Sequence, residues 1–169
     1  MNKDKQVEII AAVYPDREHA KVTLDMLHSM HSALTISLVD AAIVTKDEDG
    51  KVKIGETREV TTRKGAKRGM IVTGILGVIY PPSLIASLAL GGALGGLVGR
   101  IRDTGIKLPQ LEDVAERLTP GKVALVVLVE ADSTLKAQNA LEGFEGTLVV
   151  QPLDDETVQQ LLKAAEFGS

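Results

Sequence analysis

The segment from Gly69 to Gly99 reads GMIVTGILGVIYPPSLIASLALGGALGGLVG and contains no charged residue. Cations flank this charge-free segment on both sides, and no acidic residue occurs anywhere from Arg63 to Arg102. The six flanking cations, which we call the cationic collar, are Arg63, Lys64, Lys67, Arg68, Arg100 and Arg102. Because the 169-residue chain has a net charge of −4, the residues outside this +6 stretch carry −10. So large an apolar surface must be covered by protein or by lipid.

Two prolines divide the charge-free segment into two arms. Pro81 and Pro82 lack backbone N–H groups, and Pro81 disfavours a helical conformation at Tyr80, so we expect a helix to end there. As helices, the first arm (Gly69–Tyr80) would be about 18 Å long and the second arm (Ser83–Gly99) about 25 Å long. Neither arm reaches across a hydrocarbon core of about 30 Å. The sequence therefore predicts a helical hairpin that is broken at the two prolines.

Glycines recur every four residues in the second arm. Gly91, Gly95 and Gly99 lie four apart, and Gly92 and Gly96 form a parallel row beside them on the same helix face. Each glycine costs about 1 kcal/mol of helix propensity relative to alanine, and close packing against another backbone would offset that cost. We call these five residues the glycine ridge and expect it to be an interface between copies of the chain. The first arm adds two candidate packing positions, Gly74 and Gly77.

Short apolar runs on both sides of the charge-free segment predict strands that alternate with helices. Before the segment we predict a strand at Val7–Tyr14 and a helix from Asp16 to about Met30. A hairpin follows, whose first strand is Leu34–Thr45, best from Val39, and whose second strand is Lys51–Ile54. After it we predict a helix at Gln110–Leu118, strands at Lys122–Glu130 and Thr147–Gln151, a helix at Ser133–Leu141, and a C-terminal helix capped by Asp154 or Asp155. In the first helix, the predicted apolar stripe contains Ala20, Val22, Leu24, Met26, Leu27 and Met30.

A weak internal repeat relates the two halves of the chain. Ile9–Ala12 matches Val126–Val129, and similar helix residues follow each run at the same offset. Two βαβ halves of this kind predict an α+β fold, namely a ferredoxin-like split βαβ sandwich with an inserted glycine-rich α-helical hairpin. We expect residues 1–62 to form the first half with its β-hairpin, 63–106 the collar and helical hairpin, and 107–165 the second half. Residues 166–169 could be a cloning remnant.

No complete catalytic or metal-binding motif occurs in the sequence. Because the chain has no cysteine, it has no thiol nucleophile and no thiolate metal ligand. His28 and His31 are spaced to share a helix face with Asp25, but no third histidine or cysteine completes a metal set. The acidic turn Lys46–Gly50 has too few ligands for an EF-hand. We therefore expect no enzymatic activity, no metal and no cofactor, and the acidic remainder of the chain disfavours nucleic acid as a partner.

An ordered series of short sequences carries a resemblance that spans nearly the whole chain. The pieces are Val13–Asp16, Asp40–Val52, the charge-free segment, Asp103–Ile106, Leu118–Gly121 and Ala124–Glu130. This series resembles the bacterial and archaeal domain of unknown function 1269 family, whose members are often labelled predicted membrane proteins. The resemblance implies no catalytic residues. The chain differs from many relatives in its Tyr80–Pro82 break and in having no tryptophan in the glycine-rich segment.

Three functions remain open from the sequence. In the first, the protein is a non-enzymatic structural or scaffold protein that forms a homo-oligomer through its hairpins. In the second, it is a peripheral or re-entrant membrane protein whose collar binds anionic lipid. In the third, it is a small-ligand-binding ferredoxin-like domain whose hairpin covers its own sheet. The N-terminus has no secretory signal, so we expect a cytoplasmic location, at the inner face of the cell membrane in the second case.

Overall fold

The computed structural model of the protein describes residues 6–56, 72, 75–76, 80, 109–142, 148–154, 156–157 and 159. Its elements, in chain order, are β1 (Val7–Tyr14), α1 (Arg17–Ser32), β2 (Leu38–Lys46), β3 (Val52–Glu56), α2 (Pro109–Arg117), β4 (Val123–Glu130), α3 (Thr134–Glu142) and β5 (Leu148–Leu153). A short 3-10 turn, Ala131–Ser133, joins β4 to α3. This part of the chain therefore has the predicted α+β composition, with strands and helices close to the expected positions.

The strands form one antiparallel sheet in the order β3-β2-β4-β1-β5. β1 lies between β4 and β5, so that Val7 pairs with Glu130 on one side and with Leu153 on the other. Every residue of β4 and all but one residue of β1 are buried. Burial on both faces explains why these two strands read as continuous apolar runs and not as alternating ones. The prediction that both strands are central is confirmed.

The sheet separates two apolar layers. In the first layer, strand side chains such as Ile10 and Leu125 pack against one helical surface. The helix residues of this α1/α3 layer are Ala20, Leu24, Leu27, Ala137, Ala140 and Leu141. In the second layer, which we call the α2 layer, strand side chains such as Ile9 and Val126 pack against Leu111 and Val114 of α2. Helical residues therefore cover the sheet on both faces.

The predicted hairpin joins β2 to β3 through the acidic turn. The carboxylate of Asp47 accepts a hydrogen bond from the N–H of Lys51 at 2.8 Å, and the backbone N–H of Gly50 donates to the carbonyl of Asp47 at 3.0 Å. Gly50 has a φ of 79°, a left-handed conformation that glycine adopts without steric cost. Asp47 therefore braces the turn that sets the register of the two strands.

Two predicted helix caps are confirmed. The Asp16 carboxylate accepts a hydrogen bond from the N–H of His19 at 3.0 Å, and the Asp154 carboxylate accepts one from the N–H of Thr157 at 2.7 Å. These bonds favour the ionised carboxylates, and they hold the pKa of both Asp16 and Asp154 below the usual range. Of the two predicted candidates, Asp154 therefore caps the C-terminal helical residues.

The apolar stripe of α1 is narrower than predicted. Ala20, Leu24 and Leu27 are buried, but Val22 is 52% exposed and Met26 is 38% exposed. The inclusion of these two residues in the stripe was wrong. Only one face of α1 meets the sheet, and the buried residues follow the three- and four-residue spacing that this single contact requires.

The C-terminal end of α1 is closed by a Schellman motif that delays the start of β2. The N–H of Thr35 donates to the carbonyl of Met30 at 2.8 Å, and the N–H of Leu34 donates to the carbonyl of His31 at 3.0 Å. The position occupied by Leu34 usually holds glycine, because it requires a left-handed backbone. Leu34 has a φ of 58° and is 90% exposed, so its side chain gains little from packing. β2 therefore begins at Leu38 and not at Leu34.

We expect the substitution Leu34→Gly to stabilise the protein. A leucine in the left-handed region is strained by about 1 kcal/mol, and glycine removes that strain while little buried surface is lost. Equilibrium urea denaturation should therefore show a higher midpoint.

The matched control is Leu135→Gly, because Leu135 is also exposed, at 69%, but lies within α3. That substitution should destabilise the protein by up to about 1 kcal/mol through lost helix propensity. Midpoints that move in the same direction for both variants would contradict the assignment of strain to Leu34.

Candidate functional site

Four residues of the first arm are described, and they pack on the sheet of the same chain. These residues, which we call the arm residues, are Val72, Ile75, Leu76 and Tyr80, and their exposed fractions are 0%, 0%, 3% and 6%. All four belong to the α2 layer. Val72, Ile75 and Leu76 are helical, and the N–H of Tyr80 donates to the carbonyl of Leu76 at 2.9 Å. This bond has the spacing of an α-helix, and it fits the predicted end of the first arm at Tyr80.

A buried carboxylate lies where the first arm meets the sheet. Asp40 of β2 is 8% exposed, and its Oδ1 accepts a hydrogen bond from the N–H of Ala41 at 2.8 Å. Its Oδ2 accepts a second hydrogen bond, from the N–H of Val72 at 3.0 Å, and this bond is buried. A charge in an apolar layer is costly unless hydrogen bonds satisfy it. The hydrogen bond from Val72 therefore offsets part of the cost of burying Asp40.

An irregularity in β2 directs Asp40 toward the first arm. Leu38 pairs with Val129 of β4, but Asp40 pairs with the next residue, Leu128, so Val39 is an extra residue in β2. Val39 packs against the α2 layer, on the side where Asp40 reaches Val72. Such bulges locally redirect side chains in a sheet. The bulge thus places the Asp40 carboxylate beside the backbone of Val72 in the charge-free segment.

The far end of the described arm contacts α2. The hydroxyl of Tyr80 donates to the carbonyl of Ala115 at 3.4 Å, which is long for a hydrogen bond. Burial disfavours the phenolate and raises the pKa of Tyr80 to about 12. The first arm is therefore held at one end by the bond between Asp40 and Val72, and at the other by the packing of Tyr80 beneath α2.

The space between the first arm, α2 and the sheet is small. A cavity of about 10 Å³ remains there, which is about enough for one water molecule. Its walls are mainly apolar and consist of Val44, Leu76, Tyr80, Leu111, Val114, Ala115, Ala124 and Val126. A pocket for a drug-sized ligand requires at least about 300 Å³. This junction is therefore a packed contact between chain segments and not a ligand pocket.

The residues predicted to form sites lie outside the described part of the chain. These are the candidate packing glycines Gly74, Gly77, Gly91, Gly92, Gly95, Gly96 and Gly99, the cationic collar Arg63, Lys64, Lys67, Arg68, Arg100 and Arg102, and the hairpin break Pro81 and Pro82. The arm residues come from the same charge-free segment and show where part of it docks.

His31, one of the histidines considered as a metal ligand, contacts backbone groups. Nδ1 of His31 lies 3.2 Å from the amide nitrogen of Leu38 and 3.2 Å from the carbonyl of Ile36, so backbone groups of the turn before β2 surround it. Within the described ranges, no group of three or more histidines, aspartates or glutamates is arranged to hold a metal ion. None of the helices in these ranges is both long and apolar enough to cross a membrane.

The sequence analysis missed Asp40 as a site residue. β2 reads LVDAAIVTK, in which one acidic residue interrupts an apolar run, and that interruption was the available signal. The spacing of residues in β2 gives no indication of a partner that lies 32 positions further along the chain. Only the fold brings Asp40 and Val72 together.

The fold and its principal contact define a class: an α+β domain whose sheet binds an uncharged apolar segment of the same chain. The family described as "Protein of unknown function (DUF1269)" matches residues 66–166, which is more than half of the chain. The chain belongs to this family, as its resemblance predicted. Comparisons with curated proteins and with solved structures found no match. The matched region contains the arm residues and also α2, β4, α3 and β5, so it joins the charge-free segment to the half of the domain that follows it.

We expect the alkaline stability of the protein to depend on Tyr80. Because burial raises its folded-state pKa from 10.0 to about 12, the protonated phenol stabilises the fold below pH 10. That contribution should be lost as the pH rises from about 10 to about 12. The variant Tyr80→Phe should lose less stability over this range, as measured by urea denaturation at a series of pH values.

Tyrosinate absorbance provides the control, because the chain has two tyrosines and no tryptophan. The absorbance change near pH 12 should disappear in Tyr80→Phe, while the titration of Tyr14, whose pKa burial also raises, should remain. An unchanged titration near pH 12 in this variant would contradict the assignment to Tyr80.

Proposed function

We propose that the protein is a non-enzymatic structural or scaffold protein that self-associates into a homo-oligomer through its glycine ridge. The observation that carries this proposal is the packing of the first arm on its own sheet. Within the described ranges, helical residues cover both faces of that sheet. The aliphatic second arm needs a partner that covers it from water, and a second copy of the same arm is the simplest one.

The sequence of the second arm favours close packing between backbones. Seven aliphatic side chains separate or precede its glycines: Leu84, Ile85, Leu88, Leu90, Leu94, Leu97 and Val98. Burial of each contributes about 1.5–3 kcal/mol, so their joint exposure to water would be strongly unfavourable. The glycine ridge allows two helices to approach closely, as small residues at four-residue spacing do in other helix pairs. Association through this face would cover the apolar side chains and offset the low helix propensity of glycine.

We further propose that the domain is a ferredoxin-like split βαβ sandwich with the hairpin inserted between its halves. The support comes from the order β5-β1-β4-β2, which results when two βαβ units interleave. In this interpretation α1 and α3 are the crossover helices, while α2 and the first arm cover the other face. The additional strand β3 extends the sheet at the edge of β2.

We expect Gly95→Leu to lower the assembly state. A leucine side chain in the middle of the glycine ridge would prevent close approach of the partner helix. Light scattering should therefore give a smaller particle mass for this variant than for the parent protein.

Ala93→Leu is the matched control, because position 93 lies off the ridge and this substitution also adds a bulky side chain to the same arm. It should keep the parent mass. If Gly95→Leu has the parent mass as well, the glycine ridge is not the interface.

A second candidate function is binding to an anionic membrane surface from the cytoplasm. The cationic collar supports it, because six cations flank an uncharged segment whose two arms are each too short to cross a bilayer. Cations near an anionic surface contribute about 1 kcal/mol each. The segment would then enter one leaflet as a hairpin while its ends stay at the headgroups. Within the described part of the chain, the junction beside Tyr80 holds only a water-sized cavity, so that junction gives no support to a small-ligand function.

We expect the freshly synthesised protein to float with anionic vesicles, and to do so less at high salt, because salt screens the collar. Replacement of all six collar residues by glutamine should abolish this binding, and neutral vesicles should bind little protein. Indifference to both vesicle types, by fresh and by assembled protein, would count against the membrane candidate.

A further inference from the structure

We propose that Asp40 holds the first arm on the sheet in competition with an anionic lipid surface, which binds the same apolar side chains when the arm is released. This inference rests on the membrane-binding function proposed above, and it adds a contact that regulates the binding. The contact would be autoinhibitory, because the arm residues cannot enter lipid while the sheet covers them. The following observations on Asp40, the arm residues and the cationic collar support it.

The first observation is the chemistry of the contact. An apolar residue at position 40 would fill the α2 layer without the cost of a buried charge, so the carboxylate is not explained by packing alone. Its two oxygens accept hydrogen bonds from separate segments, Ala41 within β2 and Val72 within the first arm. Asp40 therefore fixes the bulge in β2 and also specifies which backbone amide of the arm docks beside it. The hydrogen bond between Asp40 and Val72 thus sets the position of the first arm on the sheet, which apolar burial alone does not do.

The second observation is that the covered surface suits lipid. The arm residues are all apolar or aromatic, and all are nearly inaccessible. Such side chains gain as much from hydrocarbon as from a protein interior. The two environments therefore compete for the same side chains, and binding to lipid must also offset the exposure of the strand side chains of the α2 layer.

The third observation identifies anionic lipid as the occupant. In the sequence, Arg63, Lys64, Lys67 and Arg68 all lie within nine residues before Val72. An apolar segment beside a cluster of cations is complementary to an anionic bilayer surface, where the side chains enter the leaflet and the cations meet the headgroups. The rest of the chain is acidic, so this complementarity is confined to the neighbourhood of the charge-free segment.

The test uses single cysteines, which is possible because the chain has no native cysteine. Leu76→Cys reports on the first arm, since Leu76 is 3% exposed in the α2 layer. Leu27→Cys reports on the opposite α1/α3 layer, where Leu27 is fully buried. Each thiol is labelled in the parent protein, in Asp40→Asn and in Asp25→Asn. The last variant is the charge-matched control, because Asp25 is exposed on α1.

We expect Asp40→Asn to raise the labelling rate of the Leu76→Cys thiol about tenfold. Asparagine keeps one acceptor oxygen but presents an NH₂ group in place of the other, so it cannot accept from both Ala41 and Val72. The Leu27→Cys thiol should change by less than about twofold, and Asp25→Asn should change neither thiol. In flotation without added cysteines, Asp40→Asn should need about tenfold less anionic lipid than the parent for half-maximal binding.

A second variant keeps the proposal testable if Asp40→Asn folds poorly. Val72→Pro removes the N–H that Asp40 accepts and leaves the carboxylate unchanged. It should also raise the labelling of the Leu76→Cys thiol and the binding to anionic vesicles. The double variant should be close to either single one, because both changes break the same bond.

Four outcomes would overturn the proposal. Unchanged labelling of the Leu76→Cys thiol would show that Asp40 does not hold the first arm. Equal increases at both thiols would show that Asp40 acts only on global stability. Faster labelling without stronger binding to anionic vesicles would show that lipid does not take up the released arm. An equal increase in binding to neutral vesicles would show that the cations play no part. The labelling rates thus test whether Asp40 holds the first arm, and vesicle flotation tests whether the protein binds membranes. Self-association is tested separately, by the particle mass of the Gly95→Leu variant.

Discussion

The burial of an uncharged apolar segment against the chain's own sheet is the constraint on which the rest of this structure depends. Without the first arm and α2, the strand side chains of the α2 layer would face water. An antiparallel sheet can leave one face solvated, but the strands then alternate apolar and polar residues. β1 and β4 instead carry apolar residues on both faces, so the composition of these strands already requires a second covering layer.

Asp40 gives that covering layer a defined position. Apolar contacts between the first arm and the sheet would tolerate small shifts along either element, because the hydrophobic effect has no direction. A buried carboxylate that accepts the N–H of Val72 favours one position of the arm, since a displaced arm would lose this hydrogen bond. The bulge at Val39 and the hydrogen bond to Val72 therefore act together. The bulge directs the Asp40 carboxylate toward the arm, and the hydrogen bond forms in only one register of the arm.

The family match places this arrangement in a wider context. It covers residues 66–166, so it begins within the cationic collar and runs through the charge-free segment into the second half of the domain. The apolar segment is thus part of the same unit as the strands and helices that follow it.

The sequence by itself determined the elements whose signals are local. The continuous apolar runs of β1 and β4, the caps at Asp16 and Asp154, and the acidic turn between β2 and β3 all depend on neighbouring residues, and each was predicted close to its observed place. The end of the first arm at Tyr80 stays a prediction, because Pro81 and Pro82 lie outside the described residues. The stripe of α1 was predicted too broadly, because hydrophobicity alone cannot say which face of a helix meets the sheet.

Only the tertiary structure decided which distant residues meet. The strand order, the packing of the first arm on the α2 layer, and the bond between Asp40 and Val72 all join positions far apart in the chain. A buried charge depends on its three-dimensional partners, and a single sequence carries no local pattern that names them. For the same reason, the water-sized cavity beside Tyr80 could not be anticipated: packing density results from how segments fit together and not from the composition of any one of them.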